Sequence, residues 1–269
     1  YAHITGLSVG SLFSAGFLPG LLMGLLLLVV SAVISLRRHY PRREKRASLR
    51  EILGAGRDAF LALIVPLIIL GSILTGVATV TESAAVAVGY AFIIGKFVLR
   101  TLKFRDLIPA ALYTAKLSGV IFLLLATAHT FGWYITRLGV PALVSQMIMG
   151  LTTSKVLILA LVNIFLLIVG MLMDILPAVL ILAPVLAPAV KEMGIDPLHF
   201  ALVMLVNLNI GMITPPYGMT LLTAARIADC SYDSTIGAVM PFLGAVLVSL
   251  AIITYVPWFV LVLPRAFGF

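Results

Sequence analysis

KVLILALVNIFLLIVGMLMDILPAVLILAPVLAPAVKEMGIDPLHFALVMLVNLNIGMITPPYGMT, residues 155–220, departs from the long unbroken apolar runs that fill the rest of the chain. Two apolar runs, Lys155–Val169 and Ala178–Ala189, flank Gly170-Met171-Leu172-Met173-Asp174-Ile175-Leu176-Pro177. A helix of about 15 residues rises only about 22 Å, against a hydrocarbon core of roughly 30 Å. The pair therefore reads as a re-entrant hairpin over 155–192. A third run, His199–Ile213, stops at Thr214-Pro215-Pro216-Tyr217-Gly218 and resumes to Arg226, a broken helix over 199–226. In hydrocarbon, non-helical backbone is tolerated only where protein buries it or where it lines a wet cavity. Paired interrupted segments point to the binding site of a secondary transporter, and 155–226 is expected to form that core.

The surroundings agree. The chain is 62% hydrophobic and 10% charged, with a mean hydropathy of +1.20, far from the composition of a soluble domain. Runs such as Leu21–Leu36 do not alternate apolar and polar residues, so an all-α membrane protein is expected rather than a barrel. Eight of the 18 Lys and Arg fall between Arg37 and Arg57. One basic loop beside an apolar helix marks a cytoplasmic connection facing membrane lipid, not a nucleic-acid surface. Cys230 is the only cysteine, which excludes an internal disulfide and a thiolate metal cluster. No charged leader precedes Tyr1-Ala2-His3, and without an initiator Met the start is expected to be truncated.

In chain order, 1–36 ends in a spanning helix (Gly16–Leu36), and 37–58 is a basic connector. Within it Ala47–Ala59 suits a short interfacial helix, with Leu49, Ile52, Leu53 and Phe60 opposite Arg50, Glu51 and Arg57. The region 59–154 holds further helices, among them Leu107–Ile135, and a polar break at Thr75–Ser83 that is either a surface loop or an unwound element. Gly139–Leu151 is amphipathic, and Gly237–Leu263, within 237–264, forms the final span. Polar leaders into apolar helices recur around Pro19 and Pro241, 222 positions apart. The first would run inward and the second outward, as inverted repeats require, which would place most of the first repeat upstream of Tyr1.

Of the ten carboxylates, only Glu82 and Asp174 lie within apolar sequence. Charge there is costly unless paired or hydrated, which makes such residues functional candidates. Asp174 is read as a cation ligand, with capping of the returning helix as the alternative. Glu82, beside Thr79, Thr81 and Ser83, is either functional or a hydrogen-bond hub. Pro215 and Pro216 have no N–H, so the carbonyls of Gly211 and Met212 are expected to lose their helical partners, and Thr214 is pushed out of helical geometry. Such oxygens suit a small hard cation such as sodium. Gly170, Asp174, Gly211, Met212, Thr214 and Gly218 are thus the candidate sodium set. Pro177, read as the first residue of the returning half-helix, would turn a positive dipole end toward an anionic substrate. Asp174, Pro177, Asn207, Asn209, Thr214 and Thr220 are the candidate substrate contacts. Met171, Met173 and Met212 are read as packing.

Gly170-x-x-x-Asp174, Gly194-Ile195-Asp196-Pro197-x-His199-Phe200 and Asn207-x-x-x-Gly211-x-x-Thr214-Pro215-Pro216-x-Gly218 together resemble the large membrane subunit of tripartite ATP-independent periplasmic (TRAP) transporters, the DctM-like family. Leu12-Phe13-x-Ala15-Gly16-x-x-Pro19-Gly20 is similar to the segment after that family's first Pro-Pro break. Thr79-x-Thr81-Glu82 resembles its Thr-Pro-Thr-Glu, with Val80 in place of the proline. The resemblance implies an inverted-repeat, elevator-type fold of the bacterial inner membrane. It further implies sodium-driven uptake of organic acids such as dicarboxylates or sialic acid, with sodium as coupling ion and no other cofactor. A periplasmic substrate-binding protein and a small four-helix membrane subunit are the implied partners. It places the other half-site before Tyr1. Two further classes stay open: an ion channel or passive pore, which the hairpin allows, and an intramembrane aspartyl protease, for which Glu82 is the only available second acid.

Overall fold

A computed structural model describes residues 1–39 and 48–268, apart from the side chains of Ile52, Arg57 and Asp58. Its helices are α1 (Ala2–Thr5), α2 (Val9–Arg37), α3 (Leu49–Leu74), α4 (Val80–Ile93), α5 (Phe104–Arg137), α6 (Val140–Leu151), α7 (Lys155–Leu172), α8 (Ile175–Glu192), α9 (Pro197–Gly211), α10 (Met219–Ile227), α11 (Tyr232–Tyr255) and α12 (Trp258–Ala266). A single π-helical turn, Ile94–Val98, extends α4. Among the described residues six helices are long and apolar enough to cross a membrane, or seven if the bent α3 counts as one. The chain is an all-α membrane protein.

Among the described residues, local chemistry explains six of the twelve helix starts. The side chains of Ser8, Ser48, Thr79, Asp174, Asp196 and Ser231 each accept a backbone N–H of the turn that follows. Such a bond satisfies one of the N–H groups that a helix start leaves orphaned. Prolines inside α2, α3, α5, α8 and α11 do not end those helices. The first span therefore begins at Val9 rather than Gly16, running through Pro19. Ser8 and Ser231 cap α2 and α11 alike, but they stand 223 positions apart, one more than the two prolines. The final segment also differs from an unbroken span, because α11 starts at Tyr232 and stops at Tyr255, and α12 restarts after Pro257.

The chain forms two units, His39–Phe122 in one and Tyr1–Arg38 with Leu123–Phe269 in the other. In the first of these, α3 bends by 48° between Leu49–Gly56 and Ala59–Leu74, which sets off the segment read as interfacial. Residues 40–47 of the basic stretch, and the Ile52 and Arg57 faces of that segment, lie outside the described residues. Leu49, Leu53 and Phe60 are exposed. The break after α3 is a short loop, with Gly76 at φ +69°, that closes on the Thr79 cap. Tyr90 Oη donates to Leu61 O at 3.0 Å, tying α4 to α3.

In the larger unit α9 packs against α2, α7, α8, α11 and α12. Buried along most of its length, it has apolar residues on all its faces rather than on one stripe, and Phe200, Met204 and Leu208 are fully buried. One core joins Ile158, Val162 and Leu166 of α7 to Ala178, Ala183 and Val190 of α8 and to α9. A second joins Ala15 of α2 to Ala201 and Val203 of α9, Ile253 of α11 and Val260 of α12. Outward-facing Leu21, Leu25, Leu28, Leu157, Ile164 and Ile168 remain exposed, an apolar surface that suits lipid rather than water.

Candidate functional site

The first interruption is only two residues long. Met173 ends α7 and Asp174 begins α8. At the far ends, Lys155 Nζ donates to Gly194 O at 2.8 Å. Two helices of 18 residues each, joined by two residues and touching where they started and finished, lie antiparallel. The hairpin is therefore present, but its arms are longer than the runs read from sequence. Each rises about 27 Å, so length alone no longer separates a re-entrant arm from a spanning one. The reason is that Gly170 to Leu172 at the end of the first arm, and Ile175 to Pro177 and Val190 to Glu192 at the two ends of the second, are helical despite Gly170 and Pro177.

The second interruption, Met212–Gly218, separates α9 from α10 and contains a cis Pro215–Pro216 bond. The structure brings it against the hairpin tip through a glycine pair. A Cβ on Gly170 would lie 2.7 Å from Leu208 O, and one on Gly211 would lie 2.6 Å from Gly170 Cα. Backbones this close require glycine on both sides. The C-terminal ends of α7 and α9 consequently meet at one place. Each helix end carries about half a negative charge, so their junction favours a cation.

Within the break the carbonyl groups differ from the sequence expectation. Gly211 O accepts from Thr214 N at 2.9 Å and Met212 O from Thr220 N at 3.1 Å, so neither is orphaned. Loss of the proline N–H groups is made good by a tightened last turn and by the first turn of α10. Thr214 Oγ1 donates to Ile210 O at 2.7 Å, which directs that hydroxyl's proton into α9 and leaves its lone pairs free. Gly218, at φ +43°, sits in crowded surroundings, and its missing Cβ would lie 3.1 Å from Leu221 Cβ. Thr214 O and Met212 O lie 3.2 and 3.3 Å from that missing Cβ. A carbonyl oxygen has two lone pairs, so Met212 O can serve both its N–H donor and a cation.

Asp174 is exposed and its Oδ1 accepts from Ile175 N at 2.7 Å, the geometry of a helix cap. Pro177 is the third residue of α8, not the first. With the Asp174 carboxylate already on the start of α8, that end offers an anion little. The start of α10 has no such side-chain cap, and Thr220 in its first turn is exposed, as are Asn209 and Pro216. Asn209 Nδ2 donates to Leu205 O of its own helix at 2.9 Å.

Asn207 is fully buried rather than facing an open site. Its Nδ2 donates to Asn163 O and Asn163 Oδ1 at 2.9 and 2.8 Å, and Asn163 Nδ2 donates to Thr254 Oγ1 at 2.9 Å. The network laces α7, α9 and α11 together, and Asn207 Oδ1 is left without a partner. Asn163 escaped the sequence reading although it is the only polar side chain between Val156 and Met173. His199 is also buried, with Nε2 2.9 Å from Ile253 O. Asp196 caps α9 through the N–H groups of Leu198 and His199.

In the other unit, Glu82 is exposed at the start of α4 rather than enclosed by apolar residues. Its Oε2 accepts from Thr79 N and Thr79 Oγ1 at 2.8 Å each, while Glu82 N donates back to Thr79 Oγ1. This is a capping box, the structural hub of the two alternatives. Thr81 is exposed beside it. A cavity of about 570 Å³ beside α1, α5 and α8 is lined by His129, Trp133 and Lys191 and by none of the candidate residues.

A family described as "Tripartite ATP-independent periplasmic transporter, DctM component" matches residues 1–259. The chain is 40% identical over 250 residues to the isethionate TRAP transporter permease protein DctMQ of Oleidesulfovibrio alaskensis, covering 93% of this chain and 39% of that protein. It is 39% identical over 268 residues to the C4-dicarboxylate TRAP transporter large permease protein DctM of Pseudomonas aeruginosa, covering 100% of this chain and 62% of that protein. It is 35% identical over 267 residues to the sialic acid TRAP transporter large permease protein SiaM of Vibrio cholerae, covering 99% and 62%. The chain thus spans at most 62% of the length of these relatives.

Proposed function

This chain belongs to the DctM component family of tripartite ATP-independent periplasmic transporters, and on that premise we propose that it forms one half-site of a sodium-coupled importer of organic acids. Members of this family are multi-pass proteins of the inner membrane, and they are transport proteins rather than enzymes. The single observation that supports the coupling best is the meeting of the α7 and α9 C-termini at Gly170 and Gly211, beside the Met212 and Thr214 carbonyls. Sodium entering there would be held by those carbonyls, which converge beside Gly218, with the Thr214 hydroxyl oxygen as a further donor. Asp174, one hairpin turn away, would add a negative charge at the tip.

The substrate class rests on the relatives, whose names carry isethionate, C4-dicarboxylate and sialic acid, all organic acids. For such an anion the start of α10, which has no side-chain cap and has Thr220 and Asn209 exposed near it, is the favoured electrostatic partner. A soluble periplasmic binding protein would deliver the acid, and a small membrane subunit would stand beside this chain. The hairpin and broken helix would then move together, because the glycine crossing and the Asn163–Asn207 bonds join them.

The test is uptake by the complete transporter in proteoliposomes, with its binding protein supplied outside. Uptake is expected only with an inward sodium gradient and is expected to saturate. Uptake that persists when choline replaces sodium would refute the coupling, and unsaturable flux without the binding protein would support the pore instead.

A further inference from the structure

We propose that Tyr232 is a positioning residue that holds the Pro215–Gly218 loop in its cation-accepting shape. The proposal rests on the sodium-coupled reading above. Tyr232 is the first residue of α11, so its backbone is fixed by the Ser231 cap and by the helix that follows. Its ring reaches back to the break, where Oη donates to Pro216 O at 2.8 Å and to Tyr217 O at 3.0 Å. One phenolic proton is thus shared between two consecutive carbonyls.

That bond matters because the loop has little else to hold it. Pro215 and Pro216 contribute no N–H. The remaining ties of the break are local, from Met212 N to Leu208 O, Ile213 N to Ile210 O, Thr214 N to Gly211 O, Thr214 Oγ1 to Ile210 O, Thr220 N to Met212 O and Leu222 N to Gly218 O. Among the described residues, Tyr232 is the one side chain outside the break that hydrogen-bonds it. Two neighbouring carbonyls turned toward Tyr232 fix the peptide planes on either side of Tyr217. Those planes set the left-handed Gly218 backbone, and with it the convergence of the Thr214 and Met212 oxygens on that glycine. Without the hydroxyl the loop gains alternative orientations in which those oxygens do not converge. Affinity then falls by the fraction of time the competent shape is lost.

The clean perturbation is Tyr232→Phe, which removes one oxygen and keeps the ring. The complete transporter, wild type and variant, is reconstituted with its binding protein, and uptake is titrated with sodium against choline. The half-saturating sodium concentration is expected to rise by roughly threefold to tenfold, the range carried by one net hydrogen bond, while the maximal rate at saturating sodium stays within about twofold. Tyr232→Phe with an unchanged half-saturation would overturn the proposal. So would a lowered maximal rate at unchanged half-saturation, or failure of the variant to reconstitute, because both mark a residue needed only for folding. Wild-type uptake that ignores sodium is a separate result that removes the coupling reading and this proposal with it.

Discussion

Gly211→Ala is expected to be among the most damaging single-methyl additions in the chain. The new Cβ would stand 2.6 Å from Gly170 Cα and its carbonyl carbon, and 2.9 Å from Met171 N. Ordinary carbon contacts lie at about 3.5–4.0 Å, so the end of α7 must retreat by about 1 Å. All three atoms are backbone, and no side-chain rotation relieves the clash. Overpacking of this kind costs about 1–3 kcal/mol, and the helix-propensity gain of Ala over Gly, up to about 1 kcal/mol in a helix interior, is smaller at Gly211 because it is the last residue of α9. A net loss of about 1–2 kcal/mol is the expected outcome, measured by denaturant unfolding of the purified protein in detergent. Gly170→Ala should behave similarly, with Leu208 O and Gly211 Cα at 2.7 and 3.1 Å. The double variant should cost at least about 0.5 kcal/mol less than the sum, since helices already separated accommodate the second methyl. Gly24→Ala is the control, with nothing within 4 Å of the added atom. A Gly211→Ala protein as stable as Gly24→Ala would refute the close crossing and the junction of helix ends built on it.

Asp174→Asn keeps a capping oxygen for Ile175 N and should preserve stability, whereas Asp174→Ala should lose about 1 kcal/mol; both should raise half-saturating sodium, and an unchanged titration for Asn would leave only the cap. Glu82→Gln retains an acceptor for the Thr79 N–H, so its denaturant midpoint should match wild type, whereas Glu82→Ala should unfold at a lower midpoint. Asn163→Leu takes the Oδ1 acceptor from Asn207 and the Nδ2 donor from Thr254, and should cost about 1–3 kcal/mol in the same unfolding assay.

The two interruptions were legible because they violate simple rules: apolar runs that stop short, and paired prolines inside one. Their partnership was not, since only tertiary structure places Gly170 on Gly211, 41 positions later in the chain. The sequence pointed to both glycines for their carbonyls, but what distinguishes them is the missing Cβ. In the same way Asn207 stood out as a polar group near the break, while its partner Asn163 supplied the explanation, a buried tie between hairpin and broken helix. Tyr232 carried no signal at all, because a tyrosine at a helix start is unremarkable until its hydroxyl is seen to reach back to Pro216 and Tyr217.

These contacts lead to one conclusion about how fold and site are related. The glycine crossing that lets α7 and α9 pack also sets their two negative ends side by side, so removing the cation preference without loosening the core is not possible at Gly170 or Gly211. It is possible at Tyr232, which shapes the loop but lies outside the apolar cores. Variants at the glycine pair should therefore change stability and sodium affinity together, and Tyr232→Phe should change affinity with stability largely retained. A Gly211 variant that loses stability but keeps its sodium half-saturation would break that link.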